Sequence, residues 1–271
     1  MLTRIIAAVL LLPLLLAVVL FLPKIVTAML FGIMSAIAVY ELLHNTGLVK
    51  NNRFVVYGIV MAVFVALWSN LWTVYPLYLL GMLAFFCVLF GELLLSHSEV
   101  NIHDLAVSFL AGGIIPYMFC SIVRIHGLAT GRFLILLPFV IAFLSDTGAY
   151  FAGKFFGKHK LAPVVSPKKT VEGVIGGVLG AVAGVVCYCY VLQEYYGFLV
   201  NWSCVPLYSV LGSLGAVFGD LCFSVIKRQT GIKDYGNLIP GHGGILDRFD
   251  SMIVVGPLME LLLLLLPMVV N

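Results

Sequence analysis

Three aspartates lie in the C-terminal part of the chain: Asp220 is near the end of an apolar segment, and Asp247 and Asp250 are in a polar segment that abuts apolar ones. A carboxylate within lipid costs roughly 3 kcal/mol unless it is paired or binds an ion. Asp247 and Asp250 are three residues apart, so a helical turn would place them on one face. Carboxylate oxygens without cysteine suit a hard cation such as Mg²⁺ better than zinc. We predict that these aspartates form a metal site, with two alternatives: Asp250 braces a ligand, or Asp220 pairs with Arg228.

The sequence between these aspartates is basic and rich in glycine. Gly241, Gly243 and Gly244 allow backbone N–H groups to approach an anion closely. Four cations are available to neutralise a polyphosphate: Lys227, Arg228, Lys233 and Arg248. Helical spacing places Ser224 one turn after Asp220, and His242 either donates to a phosphate or braces the loop. This combination predicts phosphoryl or nucleotidyl transfer at a membrane surface.

A second polar group lies at the end of the predicted span 133–153 and in the loop that follows it. Its candidate ligand-binding residues are Asp146, Ser166, Lys168, Lys169 and Thr170. Lysines beside a helix N-terminus can bind a triphosphate, but they can instead set the membrane topology and attract anionic lipid. Asp146 is predicted to contact nucleotide or a cation, or else to pair with a lysine of the loop that follows.

A membrane protein must position these groups. Of 271 residues, 62% are hydrophobic and 10% are charged, whereas soluble domains carry about 25% charged residues. The long apolar runs predict an all-α polytopic integral membrane protein, since a helix needs about 20 residues to cross the hydrocarbon. About nine transmembrane helices are predicted, at 5–22, 25–43, 54–72, 74–95, 104–123, 133–153, 172–192, 203–225 and 251–270. We interpret residues 1–271 as one membrane domain, with a less diagnostic part at 1–130 and a catalytic part at 131–271.

The basic residues predict the orientation of the chain. If loop 154–171 is cytoplasmic, alternation of the helices places twelve of the fifteen Lys and Arg residues on that side. The three on the other side are Lys24, Arg124 and Arg132. This distribution agrees with the positive-inside rule, so the polar site is expected at the cytoplasmic face.

The polar residues of both groups form a pattern that resembles the phosphatidate cytidylyltransferase (CDP-diacylglycerol synthase) family. The pattern is Ser224-x-x-Lys227-Arg228-x4-Lys233-Asp234-x-Gly236-x2-Ile239-Pro240-x-His242-Gly243-Gly244-x-x-Asp247-Arg248-x-Asp250. The elements around Asp146, Ser166 to Thr170, and Gly219-Asp220 also resemble that family. The resemblance is specific in the C-terminal half of the chain.

The resemblance implies an enzyme that converts CTP and phosphatidic acid to CDP-diacylglycerol and pyrophosphate in phospholipid biosynthesis. It also implies dependence on Mg²⁺, a second cation with K⁺ as a candidate, and a homodimer in the cell (inner) membrane. Asp220 and Asp247 match the metal-ligand positions of the family. Lys168, Lys169, Lys227 and Arg228 are our candidates for triphosphate contacts. No nucleic-acid partner is expected.

The residues are also compatible with two other functions. A related CTP-dependent enzyme could act on another membrane lipid. A secondary transporter could use Asp146 and Asp220 as ion sites, but its charges would lie near mid-membrane among internal repeats. Glu41 and Glu92 lie near predicted helix ends and are interpreted as snorkelling or capping residues. The run of small residues from Gly173 to Gly184 predicts close helix packing.

Overall fold

The structure is a computed structural model that describes residues 2–96, 98–239, 241 and 243–270. Its helices are α1 (Leu2–Phe21), α2 (Lys24–Tyr40), α3 (Asn52–Asn70), α4 (Tyr75–Leu95), α5 (Ile102–Phe109), α6 (Ile115–Phe119), α7 (Ser121–His126), α8 (Gly131–Leu134), α9 (Leu137–Phe156), α10 (Val171–Tyr196), α11 (Val205–Gln229), α12 (Leu246–Phe249) and α13 (Met252–Leu265). A π-helical segment, Glu41–Asn45, continues α2, and a second one, Leu110–Ile114, joins α5 to α6.

Seven helical stretches of the described chain are long and apolar enough to cross a membrane: Lys24–Asn45, Asn52–Asn70, Tyr75–Leu95, Ile102–His126, Gly131–Phe156, Val171–Tyr196 and Trp202–Gln229. The predicted all-α polytopic membrane protein is therefore confirmed. Helix α13 is apolar but has only 14 residues. The count of nine spans and the cytoplasmic position of the site stay predictions.

Polar residues define the ends of several of these helices. Asn51 accepts a hydrogen bond from the backbone N–H of Arg53 (3.0 Å) at the start of α3. At the start of α10, Thr170 accepts one from Gly173 N (3.1 Å). Side-chain acceptors satisfy N–H groups that have no partner within the helix. Helix α10 ends at Tyr196, and the next residue, Gly197, has a φ of 70°, which glycine adopts readily.

Two short antiparallel sheets, which the sequence analysis did not predict, accompany the helices. Strands β1 (Lys160–Ala162) and β2 (Ser166–Thr170) form a hairpin between α9 and α10. Strands β3 (Leu199–Val200) and β4 (Val269–Val270) form the other sheet. A two-stranded sheet has only edge strands, so it tolerates Pro167 within β2.

The chain divides into two compact units, and α11 passes from one to the other between Ile226 and Lys227. The first unit contains residues 1–127 and 227–249. In its core the rings of Phe31 and Phe119 lie 4.9 Å apart, and those of Phe119 and Phe249 lie 5.4 Å apart. Aromatic packing thus anchors the end of the glycine-rich segment to the N-terminal helices.

The second unit contains residues 128–226 and 250–271. Helices α9 and α10 approach closely because both present glycines, and a Cβ on Gly148 would overlap the carbonyl oxygen of Gly176. The predicted close packing of the small-residue run in α10 is therefore confirmed. Between α9 and α11, the hydroxyls of Ser145 and Ser213 are 2.7 Å apart and buried. These contacts fix the helices that carry the second polar group.

Candidate active site

The first site, here called the loop cluster, consists of Lys227, Tyr235, Gly244 and Asp247 in the first unit. Lys227 Nζ lies 2.9 Å from Asp247 Oδ1, and the two side chains are only 13% and 2% exposed. The other carboxylate oxygen, Oδ2, accepts hydrogen bonds from Tyr235 N (2.7 Å) and Gly244 N (3.0 Å). Lys227 Nζ also lies 5.3 Å from the centre of the Tyr235 ring. Asp247 is thus buried with a donor on each oxygen, and it joins α11 to both sides of the loop.

A pocket of about 440 Å³ lies beside this cluster. Its lining residues are Lys233, Asp234, Asn237, Ile239, Gly241, Gly243 and Arg248. Within the described residues, neither Lys233 nor Arg248 forms an ion pair. Gly241 and Gly243 have φ values of 76° and 89°, which other residues adopt only with strain. A polar pocket with two available cations can bind a phosphate-containing ligand. Sequence analysis had assigned a ligand-binding role to four of these lining residues: Lys233, Gly241, Gly243 and Arg248.

The second site, here called the hairpin cluster, consists of Lys169, Thr170, Asp220 and Ser224 in the second unit. Lys169 Nζ lies 2.5 Å from Asp220 Oδ2, with side-chain exposures of 22% and 33%. Ser224 donates to Asp220 Oδ1 (3.2 Å), as the helical spacing predicted. The hairpin brings Lys169 to α11, where its Nζ also donates to the carbonyl oxygen of Val217 (3.3 Å). Asp220 therefore already faces a cation while remaining partly accessible to solvent.

The other candidates of the second unit occupy varied positions. Ser166 is half-buried at the start of β2, Lys168 is exposed, and Thr170 is buried as the cap of α10. Asp146 is exposed on α9. Asp250 is buried, and its Oδ1 accepts a hydrogen bond from Ser251 N (2.7 Å).

Gly219 brings two of the candidate aspartates near one another within the second unit. A Cβ on Gly219 would lie 2.8 Å from the carbonyl oxygen of Asp250. The residue before Asp220 therefore packs directly on the backbone of Asp250. In the first unit, Arg228 is exposed near the end of α11. His242 lies outside the described residues.

Carboxylate oxygens at these positions are chemically suited to Mg²⁺. Among the described residues, however, no three His, Cys, Asp or Glu side chains are grouped closely enough to hold a metal on their own. Asp220 would also have to exchange Lys169 for a metal, but its side chain is a third exposed and its other partner is a single hydroxyl. Asp247 fits one only if Lys227 moves away, since both of its oxygens already accept hydrogen bonds.

Sequence analysis missed two residues that contact the loop cluster, Glu41 and Asn45. Glu41 is 2% exposed, and it accepts hydrogen bonds from Ile245 N (3.0 Å) and Leu246 N (2.8 Å). Asn45 donates to the carbonyl oxygen of Tyr235 (2.7 Å). In the sequence, Glu41 stands out only as a carboxylate near the end of an apolar helix, and it was interpreted as a snorkelling or capping residue.

Comparison with known proteins relates the whole chain to one family. The sequence model of the cytidylyltransferase family matches residues 2–266. The chain is 37% identical over 273 residues to the phosphatidate cytidylyltransferase of Staphylococcus aureus (strain COL), with 97% of each chain covered. It is 34% identical over 270 residues to that of Staphylococcus haemolyticus (strain JCSC1435), again with 97% of each covered.

Proposed function

Because this chain belongs to the cytidylyltransferase family, we propose that it transfers the cytidylyl group of CTP to phosphatidic acid, releasing pyrophosphate and forming CDP-diacylglycerol for phospholipid biosynthesis. The observation that carries this proposal is the similarity to phosphatidate cytidylyltransferases along 97% of each chain. The polar pocket with Lys233 and Arg248 supports a phosphate-containing substrate. The chain is a nucleotidyltransferase and a multi-pass membrane protein.

In the proposed reaction an oxygen of the lipid phosphate attacks the α-phosphorus of CTP. The bond from that phosphorus to the oxygen bridging to the β-phosphorus breaks, and the electron pair leaves with pyrophosphate. The nucleophile is already anionic near neutral pH, so the step needs no strong general base. Catalysis then consists of positioning and of neutralising negative charge.

Basic residues are proposed to supply that positive charge: Lys168, Lys169, Lys227, Arg228, Lys233 and Arg248. Ser166, Thr170, Ser224, Asp146 and the loop residues His242, Gly243 and Gly244 are proposed to complete the substrate contacts.

Mg²⁺ is the proposed cofactor, with Asp220, Asp247 and Asp250 as candidate ligands and K⁺ as a candidate second cation. When bound, Mg²⁺ would offset charge on the triphosphate. The donor chemistry of the three carboxylates supports this assignment, and the solvent access of Asp220 supports it most. We further propose a homodimer in the cell (inner) membrane, which the resemblance to the family implies. The asymmetric distribution of Lys and Arg supports an active site that faces the cytoplasm.

Membranes that contain the protein should convert labelled CTP and phosphatidic acid to labelled CDP-diacylglycerol. The product is expected with Mg²⁺ and should disappear after chelation and return when Mg²⁺ is restored. Membranes without the protein are the control. Absence of product with Mg²⁺ and both substrates present would overturn the proposed activity, whereas product in the chelated sample would overturn only the metal requirement.

A further inference from the structure

Glu41 connects the N-terminal helices to the backbone immediately before Asp247. It is the first residue of the π-helical segment that follows α2. Single π-helical turns are rare in proteins, and those that occur often lie at functional sites. One carboxylate oxygen accepts from Ile245 N and the other from Leu246 N, at 3.0 and 2.8 Å. Both oxygens of a buried carboxylate are therefore used to hold one short piece of the loop.

The glycines of the loop fit around this carboxylate. A Cβ on either Gly236 or Gly244 would overlap the Glu41 side chain. Gly244 N is also one of the two backbone donors to Asp247, and Tyr235 N is the other. Because Asn45 donates to Tyr235 O, the π-helical segment holds both sides of the loop at the residues that bind Asp247.

We propose that Glu41 is a positioning residue for cytidylyl transfer, holding the 235–246 loop so that Asp247 and the pocket residue Arg248 keep their geometry. The catalytic part of this proposal rests on the proposed function. Loss of the carboxylate would release Ile245 and Leu246 and let Asp247 shift. A displacement of about 1 Å at reacting groups can lower a rate about 100-fold.

Glu41→Gln tests the charge and the acceptor pair with little change of size. The amide retains one oxygen and presents N–H groups to a backbone N–H, so one contact is lost. We expect kcat to fall about 10- to 100-fold, as for loss of a residue that orients a ligand. Glu92→Gln is the matched control, because Glu92 binds Tyr57 and Arg53 instead of the loop. Unchanged kcat in Glu41→Gln would overturn the proposal.

The contact with Gly244 allows a double-mutant test. Gly244→Ala should lower kcat in the wild-type background, because its methyl group collides with the Glu41 carboxylate. In a Glu41→Ala background the same change should lower kcat by less than about threefold, since the side chain it would meet is gone. Independent, multiplicative effects would show that the Glu41 contact does not act through the loop.

Hydrogen–deuterium exchange of the detergent-solubilised protein separates this proposal from the proposed activity. Exchange at Ile245 and Leu246 should be faster in Glu41→Gln and unchanged in Glu92→Gln. Unchanged exchange would overturn the positioning contact whatever the activity. If exchange increases but the wild type makes no CDP-diacylglycerol, the proposed function fails and only the structural contact survives.

A milder pair of variants covers the case in which Glu41→Gln does not fold. Asn45 is exposed, so Asn45→Ala should fold while weakening the other attachment of the loop. We expect a fall in kcat of about three- to tenfold, equivalent to loss of one hydrogen bond. His44→Ala is the control, because His44 stacks on Tyr40. Equal kcat values in the two variants would contradict loop positioning by this segment.

Discussion

The loop cluster and the hairpin cluster each contain a lysine paired with an aspartate, but the two pairs differ in burial. The Lys227–Asp247 pair is 13% and 2% exposed, and two backbone N–H groups complete its contacts. The Lys169–Asp220 pair is 22% and 33% exposed. Removing one partner from a buried pair leaves an uncompensated charge, whereas water and salt moderate an exposed pair.

This difference in burial indicates different roles for Asp247 and Asp220, although both match the pattern of the same family. Asp247 organises the backbone around it and is held in place by Glu41 through the preceding residues. Asp220 can exchange its lysine for another cation with little rearrangement of the chain. The two residues are of the same type and differ in burial. The buried Asp247 braces the loop, and the more exposed Asp220 is the one proposed to contact a substrate or metal.

Asp247→Asn should have the largest effect of the substitutions that test this difference. It leaves Lys227 in a buried site without its counter-charge, and we expect a loss of about 3–5 kcal/mol of stability. Asp220→Asn is the matched comparison, with an expected loss of no more than about 1 kcal/mol. Thermal and denaturant unfolding in the same detergent would measure both. Equal losses would show that burial does not distinguish the pairs.

Asp220→Asn should instead act on turnover. We expect activity to fall about 100-fold or more, because a charge near the reacting phosphates is lost, while the protein remains folded. Ser209→Ala is a suitable control on α11, since Ser209 bonds within its own helix to Val205 O. CTP turnover and unfolding should be measured on the same preparation. Near-normal activity would remove Asp220 from the proposed metal and charge-neutralising residues.

The sequence predicted the helices better than the pairing of the charges. Apolar runs and helix spacing are local, so most helices and the Asp220–Ser224 contact were predicted. The hairpin was not predicted, and it is this hairpin that brings Lys169 to Asp220. Lys227 and Asp247 were both selected, but their spacing did not predict that they pair with one another.

The role of Glu41 could not be predicted from the sequence. Its contact with Leu246 joins residues 205 positions apart, and such a contact depends on how the helices pack. A carboxylate in an apolar segment indicated only that it needed a partner. Gly244 was interpreted as allowing close approach to an anion, and in the structure the carboxylate of Glu41 occupies the space beside it.

Replacing Lys227 or Lys169 by arginine would test the difference between the two ion pairs without removing a positive charge. Lys227 is buried between Asp247 and the Tyr235 ring, where the larger guanidinium should cost about 1–3 kcal/mol through overpacking. We expect Lys227→Arg to lose at least about tenfold in activity as Asp247 is displaced. Lys169→Arg, on the more exposed hairpin, should stay within about threefold of wild type, equivalent to less than 1 kcal/mol. Similar losses in both variants would contradict the distinction.

Lys168 provides the smallest expected effect, because it is exposed beside Lys169 and forms no ion pair within the described part of the chain. Lys168→Ala should leave stability unchanged and raise KM for CTP about two- to fivefold, the size of one exposed charge interaction. The difference from wild type should shrink between low and high salt, since screening weakens exposed charges more than buried ones. A difference that persists at high salt would show that Lys168 makes a shielded contact, and an unchanged KM at low salt would exclude it from triphosphate binding.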